Sequence, residues 1–182
     1  MAVGTSSKRL MRRLAILAAL PLVLASPALA DPRADWARAS DWGRTGVAVV
    51  SLGLPAVDGD WRGTRQTLLA MGGTSLVTGA LKYTVRERRP DGSDRLSFPS
   101  GHTSLSFAAA ASLGQRYGVK AGIPAHLVAG FVGLARVKAD KHYWHDVAVG
   151  AVIGEVAGRL VVDKRRDRRA SPPLTMTLRL AF

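Results

Sequence analysis

The 182 residues include no cysteine. That absence excludes disulfides, zinc–thiolate sites and every mechanism built on a cysteine nucleophile, the cysteine-dependent phosphatases among them. Strand-type alternation of apolar and polar residues is nearly missing as well, which argues against a core built on sheets. Long apolar runs are also lacking, and the mean hydropathy of +0.09 is low for a chain that crosses a membrane many times. Acidic residues are few, 13 against 26 Lys and Arg, giving a formal charge of +13.

The basic excess is unevenly spread. Residues 1–30 hold Lys8, Arg9, Arg12 and Arg13 and no acid, which leaves 22 cations against 13 anions, or +9, on the rest. Much of that lies in the tail Lys164-Arg165-Arg166-Asp167-Arg168-Arg169 and in the stretch Lys82 to Arg95. A basic tail is a solvated or membrane-facing run, and an exported protein meets anionic lipid rather than nucleic acid. No nucleic-acid partner is expected.

Residues 1–30 read as an export signal. Four cations precede the apolar run Leu14 to Leu24, and Ala28-Leu29-Ala30 supplies the small residues that a signal peptidase needs, so cleavage would fall before Asp31. An uncleaved anchor is the alternative. The run has 11 residues and contains Pro21, too short to cross about 30 Å of hydrocarbon unless the segment up to Ala30 joins it. The remaining 152 residues fit one core rather than two, so 31–163 is expected to be a single domain and 164–182 a tail. The last residues, Leu174 to Phe182, alternate as outer-membrane strands do, but one strand closes no barrel, and a frayed or edge-paired tail is expected.

Five apolar segments fill the domain: Gly46 to Val57, Thr64 to Leu81, Thr103 to Tyr117, Ala121 to Val137 and Asp146 to Val162. Most are long enough for helices, and polar breaks such as Asp58-Gly59-Asp60 and Pro90-Asp91-Gly92 separate them. The expected fold is all-α, a bundle of about five to six apolar helices, membrane-embedded or membrane-associated. With the N-terminal segment as a first span, Arg62, Arg65, Arg116, Lys120 and the tail would share one side, as the positive-inside tendency requires.

Three polar clusters fall at the ends of these segments. In Lys82 to Arg89, residues seven apart on a continuing helix share a face, so Lys82 and Arg89 can address one anion before Pro90 stops the helix. In Phe98-Pro99-Ser100-Gly101-His102, Ser100 can cap the following helix, Gly101 lets backbone approach a ligand, and the free N–H groups of the first turn favour an anion faced by His102. In Arg136 to Asp146, His142 and Asp146 are four apart, a spacing at which a carboxylate can orient an imidazole and support its positive charge. A metal on His142, His145 and Asp146 is the rival, but it would share its site with Lys82, Arg89 and Arg136, which is electrostatically unfavourable.

Taken jointly, these clusters carry a signature. Lys82 followed after six residues by Arg89-Pro90, then Pro99-Ser100-Gly101-His102, then Arg136, five residues, His142, three residues and Asp146 resembles the three-part signature of the type 2 phosphatidic acid phosphatase and vanadium haloperoxidase superfamily. The resemblance covers residues 82–146. It implies that His142 attacks phosphorus to form a phosphohistidine, that Asp146 orients it, and that His102 protonates the leaving oxygen. It further implies that Lys82, Arg89, Ser100, Gly101 and Arg136 hold the phosphate oxygens, with no metal and no other cofactor. Phosphoryl transfer asks chiefly for such positioning and positive charge. One departure stands out: where the family usually has Ser-Arg, this chain has Ala135-Arg136, so one hydroxyl is missing.

The short chain leaves little room for the haloperoxidase branch, and the pair His102 and His142 exceeds what mere phosphate binding needs. The implied enzyme is a phosphatase of lipid phosphates or diphosphates at the periplasmic side of the inner membrane; the alternative is an exported acid phosphatase acting on soluble monoesters. His126 and His145 match no signature position, and both, like Trp144, are expected to pack rather than react. The sequence gives no oligomeric state.

Overall fold

Asp31, Asp60 and Ser100 each stand just before a helix, and each side chain accepts a hydrogen bond from a backbone N–H of the first turn. Those bonds satisfy donors that a helix start otherwise leaves orphaned. The computed structural model describes residues 31–164, so the export signal and nearly all of the tail lie outside the described residues. Five helices follow in order: α1 (Pro32–Val57), α2 (Trp61–Val85), α3 (Gly101–Tyr117), α4 (Val119–Lys138) and α5 (Trp144–Val161). Among the described residues there is no strand.

The first helix is longer than its apolar stretch, beginning at Pro32 rather than Gly46. Pro32 opens the helix where its missing N–H costs nothing. Arg33, Asp35, Arg38, Asp41 and Arg44 interrupt the apolar pattern of this half, so the apolar segment begins only at Gly46. Between α3 and α4 a single residue, Gly118, makes the turn with φ +72, a backbone conformation that suits glycine.

Helix α3 is the axis of the bundle and packs against all four others. Most of its buried residues are small, Ala108 to Ala111, Ser104, Ser106 and Ser112 among them. Gly150, Gly154 and Gly158, four apart on α5, bring that helix onto the α3 backbone. A Cβ at Gly154 would collide with the Ser104 carbonyl oxygen and stand 2.8 Å from the Ala108 nitrogen; one at Gly158 would stand 2.5 Å from Ala111 Cβ. Gly154→Val should therefore lower stability by about 2 kcal/mol or more, several degrees in a thermal melt, because backbone has to move to admit the side chain.

The distribution of side chains is inverted relative to a water-soluble bundle. The buried hydrophobic residues are mostly alanine, with buried Ser and Thr beside them, whereas Leu76, Leu127 and Leu160 are 76%, 70% and 80% exposed. Val49, Leu68, Ile123 and Val152 also point outward. Among the described residues no helix is long and apolar enough to cross a membrane. The Gly, Ser and Thr that let these helices approach closely are also what keeps their hydropathy low.

Candidate active site

The three clusters meet at one end of the bundle. Lys82 lies in the last turn of α2, and its Nζ donates to the carbonyls of Leu96 at 2.6 Å and Ser97 at 3.2 Å. Arg89 is not on a continuation of that helix. The helix stops at Val85, Arg86 turns the chain in the left-handed region at φ 51, and Arg89 returns on the loop. There its Nε donates to Asp94 Oδ1 at 2.7 Å and its guanidinium to the Lys141 carbonyl at 3.2 Å. Folding of the loop, rather than helical periodicity, directs Arg89 to the site. Burial, then the charge of Arg89, lowers the Lys82 pKa to about 8.

Ser100 is buried at the start of α3; its N–H donates to the Asp146 carbonyl at 3.0 Å, and its hydroxyl oxygen accepts from Thr103 Oγ1 at 2.9 Å. Gly101 faces Lys82, and a Cβ built on it would find Lys82 Cε at an ordinary 3.8 Å. His102 follows in the same turn, with Nε2 2.6 Å from Asp41 Oδ1 on α1. Burial and then the nearby Arg136 lower its pKa to about 4, against the hydrogen bond of Asp41.

His142 precedes α5 rather than lying on it. Tyr143 caps that helix, and Asp146, at its third position, accepts the Tyr143 N–H at 2.9 Å. The His142 Nδ1 is 3.3 Å from Asp146 Oδ2, and Ser97 donates its hydroxyl to the same oxygen at 2.5 Å. Burial would raise the Asp146 pKa, but the hydrogen bonds from His142, Ser97 and Tyr143 outweigh it and hold the carboxyl at about 2. A carboxylate there requires the imidazole proton on Nδ1, which leaves the lone pair of His142 on Nε2. That nitrogen is 3.5 Å from the Arg89 guanidinium. Burial lowers the His142 pKa despite Asp146, and Arg136, Lys82 and Arg89 push the same way, so the ring is neutral at neutral pH.

Arg136, in the last turn of α4, is 7% exposed; one terminal nitrogen donates to Ser40 Oγ at 3.4 Å, and its Nε makes no hydrogen bond. Burial first, then Arg89, lowers its pKa to about 10, and it stays cationic. A buried guanidinium with an unused donor, facing two further cations and a neutral imidazole, suits an anion with several acceptor oxygens.

The rival metal set is assembled only in part: His145 and Asp146 gather with Glu87, their ligand atoms within 4.8 Å of one another, while His142 Nε2 turns away to Arg89. His126 lies away from the site, bonded to Glu155 at 2.8 Å. His145 stacks on Tyr143 but is exposed rather than packed, as is Trp144, and it bonds Glu87 and approaches Asp146, which sequence spacing did not suggest. Sequence reasoning missed Ser40, Asp41, Arg44 and Ser97. No local pattern joins Asp41 to His102, 61 positions further along the chain.

The model of the PAP2 superfamily matches residues 63–170, more than half of the chain. The chain belongs to the PAP2 superfamily. Over 93 residues it is 37% identical to a lipid A 1-phosphatase of Porphyromonas gingivalis, covering 50% of this chain and 20% of that protein. Over 110 residues it is 34% identical to a decaprenylphosphoryl-5-phosphoribose phosphatase of Mycobacterium tuberculosis, covering 53% and 60%. The PAP2 chain thus spans less than two thirds of the length of these relatives. Two solved structures share its PAP2 fold at 23% identity. Aquifex aeolicus LpxE superposes with a TM-score of 0.62 over 80% of this chain and 93% of that one. A transmembrane PAP2-type phosphatidylglycerolphosphate phosphatase of Bacillus subtilis gives 0.58 over 88% and 87%.

Proposed function

We propose that the protein is a metal-independent phosphatase that releases phosphate from lipid phosphates or diphosphates through a phosphohistidine. The observation that carries this reading is His142, whose Nδ1 is engaged by a buried carboxylate while its Nε2 opens toward Arg89. His142 Nε2 attacks phosphorus, the bond to the leaving oxygen breaks, and His102 gives that oxygen a proton. Water then attacks the phosphohistidine, His102 takes a proton from it, and inorganic phosphate leaves with His142 restored. Lys82, Arg89 and Arg136 balance the charge on the phosphoryl oxygens, and Ser100 and the N–H groups at the start of α3 supply further donors. Asp41 orients His102 from α1.

The lipid half of the reading rests on the outer surface. Large apolar residues on the flanks with small residues inside suit a bundle whose solvent is partly hydrocarbon, so the protein is membrane-associated. The named substrates of the two relatives, lipid A and a decaprenyl-linked phosphosugar, agree with a lipid leaving group. With the export signal at residues 1–30, the site would lie at the periplasmic face.

A phosphate-release assay in mixed micelles tests this, with phosphatidic acid, phosphatidylglycerol phosphate, undecaprenyl diphosphate, lipid A and nitrophenyl phosphate as substrates. Lipid turnover should persist in excess chelator and be blocked by vanadate, whose five-coordinate geometry resembles the transferring phosphoryl group. Complete loss in chelator, restored by zinc or magnesium, would overturn the mechanism. Turnover of the soluble ester alone would make the protein an acid phosphatase of soluble monoesters.

A further inference from the structure

The two oxygens of the buried Asp146 carboxylate are unequally served. Oδ2 meets His142 Nδ1, the Ser97 hydroxyl and the Tyr143 N–H, whereas Oδ1 accepts no hydrogen bond. Facing Oδ1 at 3.2 Å is His145 Nε2, which also lies 3.0 Å from both carboxylate oxygens of Glu87. The His145 ring is itself held. It lies nearly parallel to Tyr143, centroids 5.4 Å apart at 10°, and 6.1 Å from Phe98. Glu87 is in turn fixed through its backbone, its carbonyl accepting the N–H of Ser97, the residue whose hydroxyl binds Oδ2.

We propose that His145, clamped by Glu87 and stacked on Tyr143, is a positioning residue that holds the Asp146 carboxylate against His142 by facing its otherwise unserved oxygen. The proposal rests on the reading of His142 and Asp146 as the reactive pair. A carboxylate served on one oxygen only gains by rotating toward other donors, and Lys82 is the nearby cation that would draw it. A cation beside Oδ1 removes that gain and keeps Oδ2 on His142. The groups facing His145 favour its cationic form: Glu87 from the loop after α2 bonds it and Asp146 from α5 attracts it, while Tyr143 and Phe98 bring no charge. The contacts of His145 are with Asp146, Glu87, Tyr143 and Phe98, so its effect on His142 passes through Asp146.

The test compares His145→Phe, His145→Gln and Asp146→Asn in the full-length protein, measuring kcat, KM, the pH profile and the melting temperature. His145→Phe keeps the ring packing and loses the cation facing Oδ1. Its kcat should fall about tenfold, the scale of one lost close charge pair, with KM within about twofold because the cationic cradle is untouched. Its acid limb should move to higher pH, since a carboxylate stripped of a facing cation protonates more easily. His145→Gln, whose amide can donate to both carboxylates, should recover most of kcat. Wild-type kcat with an unmoved acid limb in His145→Phe overturns the proposal. So does a kcat loss that follows the melting temperature and that Gln fails to rescue, which marks mere packing. A slow Asp146→Asn beside a fully active His145→Phe removes the proposal and leaves the reactive pair standing; a fully active Asp146→Asn removes both.

Discussion

His142→Ala should leave no measurable turnover on any substrate, a loss of at least about 10⁴-fold, because in the proposed mechanism His142 alone forms the covalent intermediate. The neighbouring histidine cannot substitute, since the His145 ring is held between Glu87 and Asp146. Binding should survive. Lys82, Arg89 and Arg136 keep their supports in the loop carbonyls, Asp94 and Ser40 when the imidazole is removed. Inhibition by product phosphate, or its binding measured by calorimetry, should therefore change only a few-fold. Loss of binding together with turnover would mean that the substitution has collapsed the pocket rather than removed a nucleophile.

His102→Ala carries the second largest effect, and its size should depend on the leaving group. A lipid alkoxide leaves poorly without a proton, so turnover should fall about a hundredfold or more, the usual scale of general-acid catalysis. Nitrophenolate leaves with little help, and its turnover should fall distinctly less. Equal losses on both substrates would refute the acid role. The same assignment fixes a pH dependence. The His102 pKa of about 4 describes the empty site, where burial and Arg136 dominate. A bound phosphate brings negative charge to the ring and raises that value, so the protonated form required for the first step persists to higher pH in the complex than in the free enzyme. Asp41 also raises it. Asp41→Asn should consequently move the alkaline limb of kcat/KM to lower pH, and a limb moved the other way would contradict the pairing of Asp41 with His102.

The sequence made the local parts of this site legible and left the long-range ones hidden. Ser100 is written as a helix start because a small hydroxyl residue precedes an apolar run, and it caps α3 through the Thr103 N–H. His142 and Asp146 are legible as a pair because four residues bring side chains together near a helix start. The end of α2 was not legible: Lys82 to Arg89 is basic and helix-compatible throughout, and only the loop carbonyls bound by Lys82 reveal that the chain has turned at Arg86. The side of α1 that faces the candidate site was hidden for a related reason. Its charges interrupt the apolar pattern, and its place shows only when Asp41 is seen beside His102 and Ser40 beside Arg136. Ser97 is an ordinary loop serine in the sequence, and its importance comes from a bond to a carboxylate 49 residues away.

Rapid mixing with substrate labelled on the transferred phosphoryl group, followed by alkaline quench, tests the central claim most directly, because phosphohistidine survives base. Label should appear on the protein within one turnover, map to the peptide containing His142, and be absent from His142→Ala. Label that persists in His142→Ala, or wild-type enzyme that turns over without ever carrying label, would contradict the account.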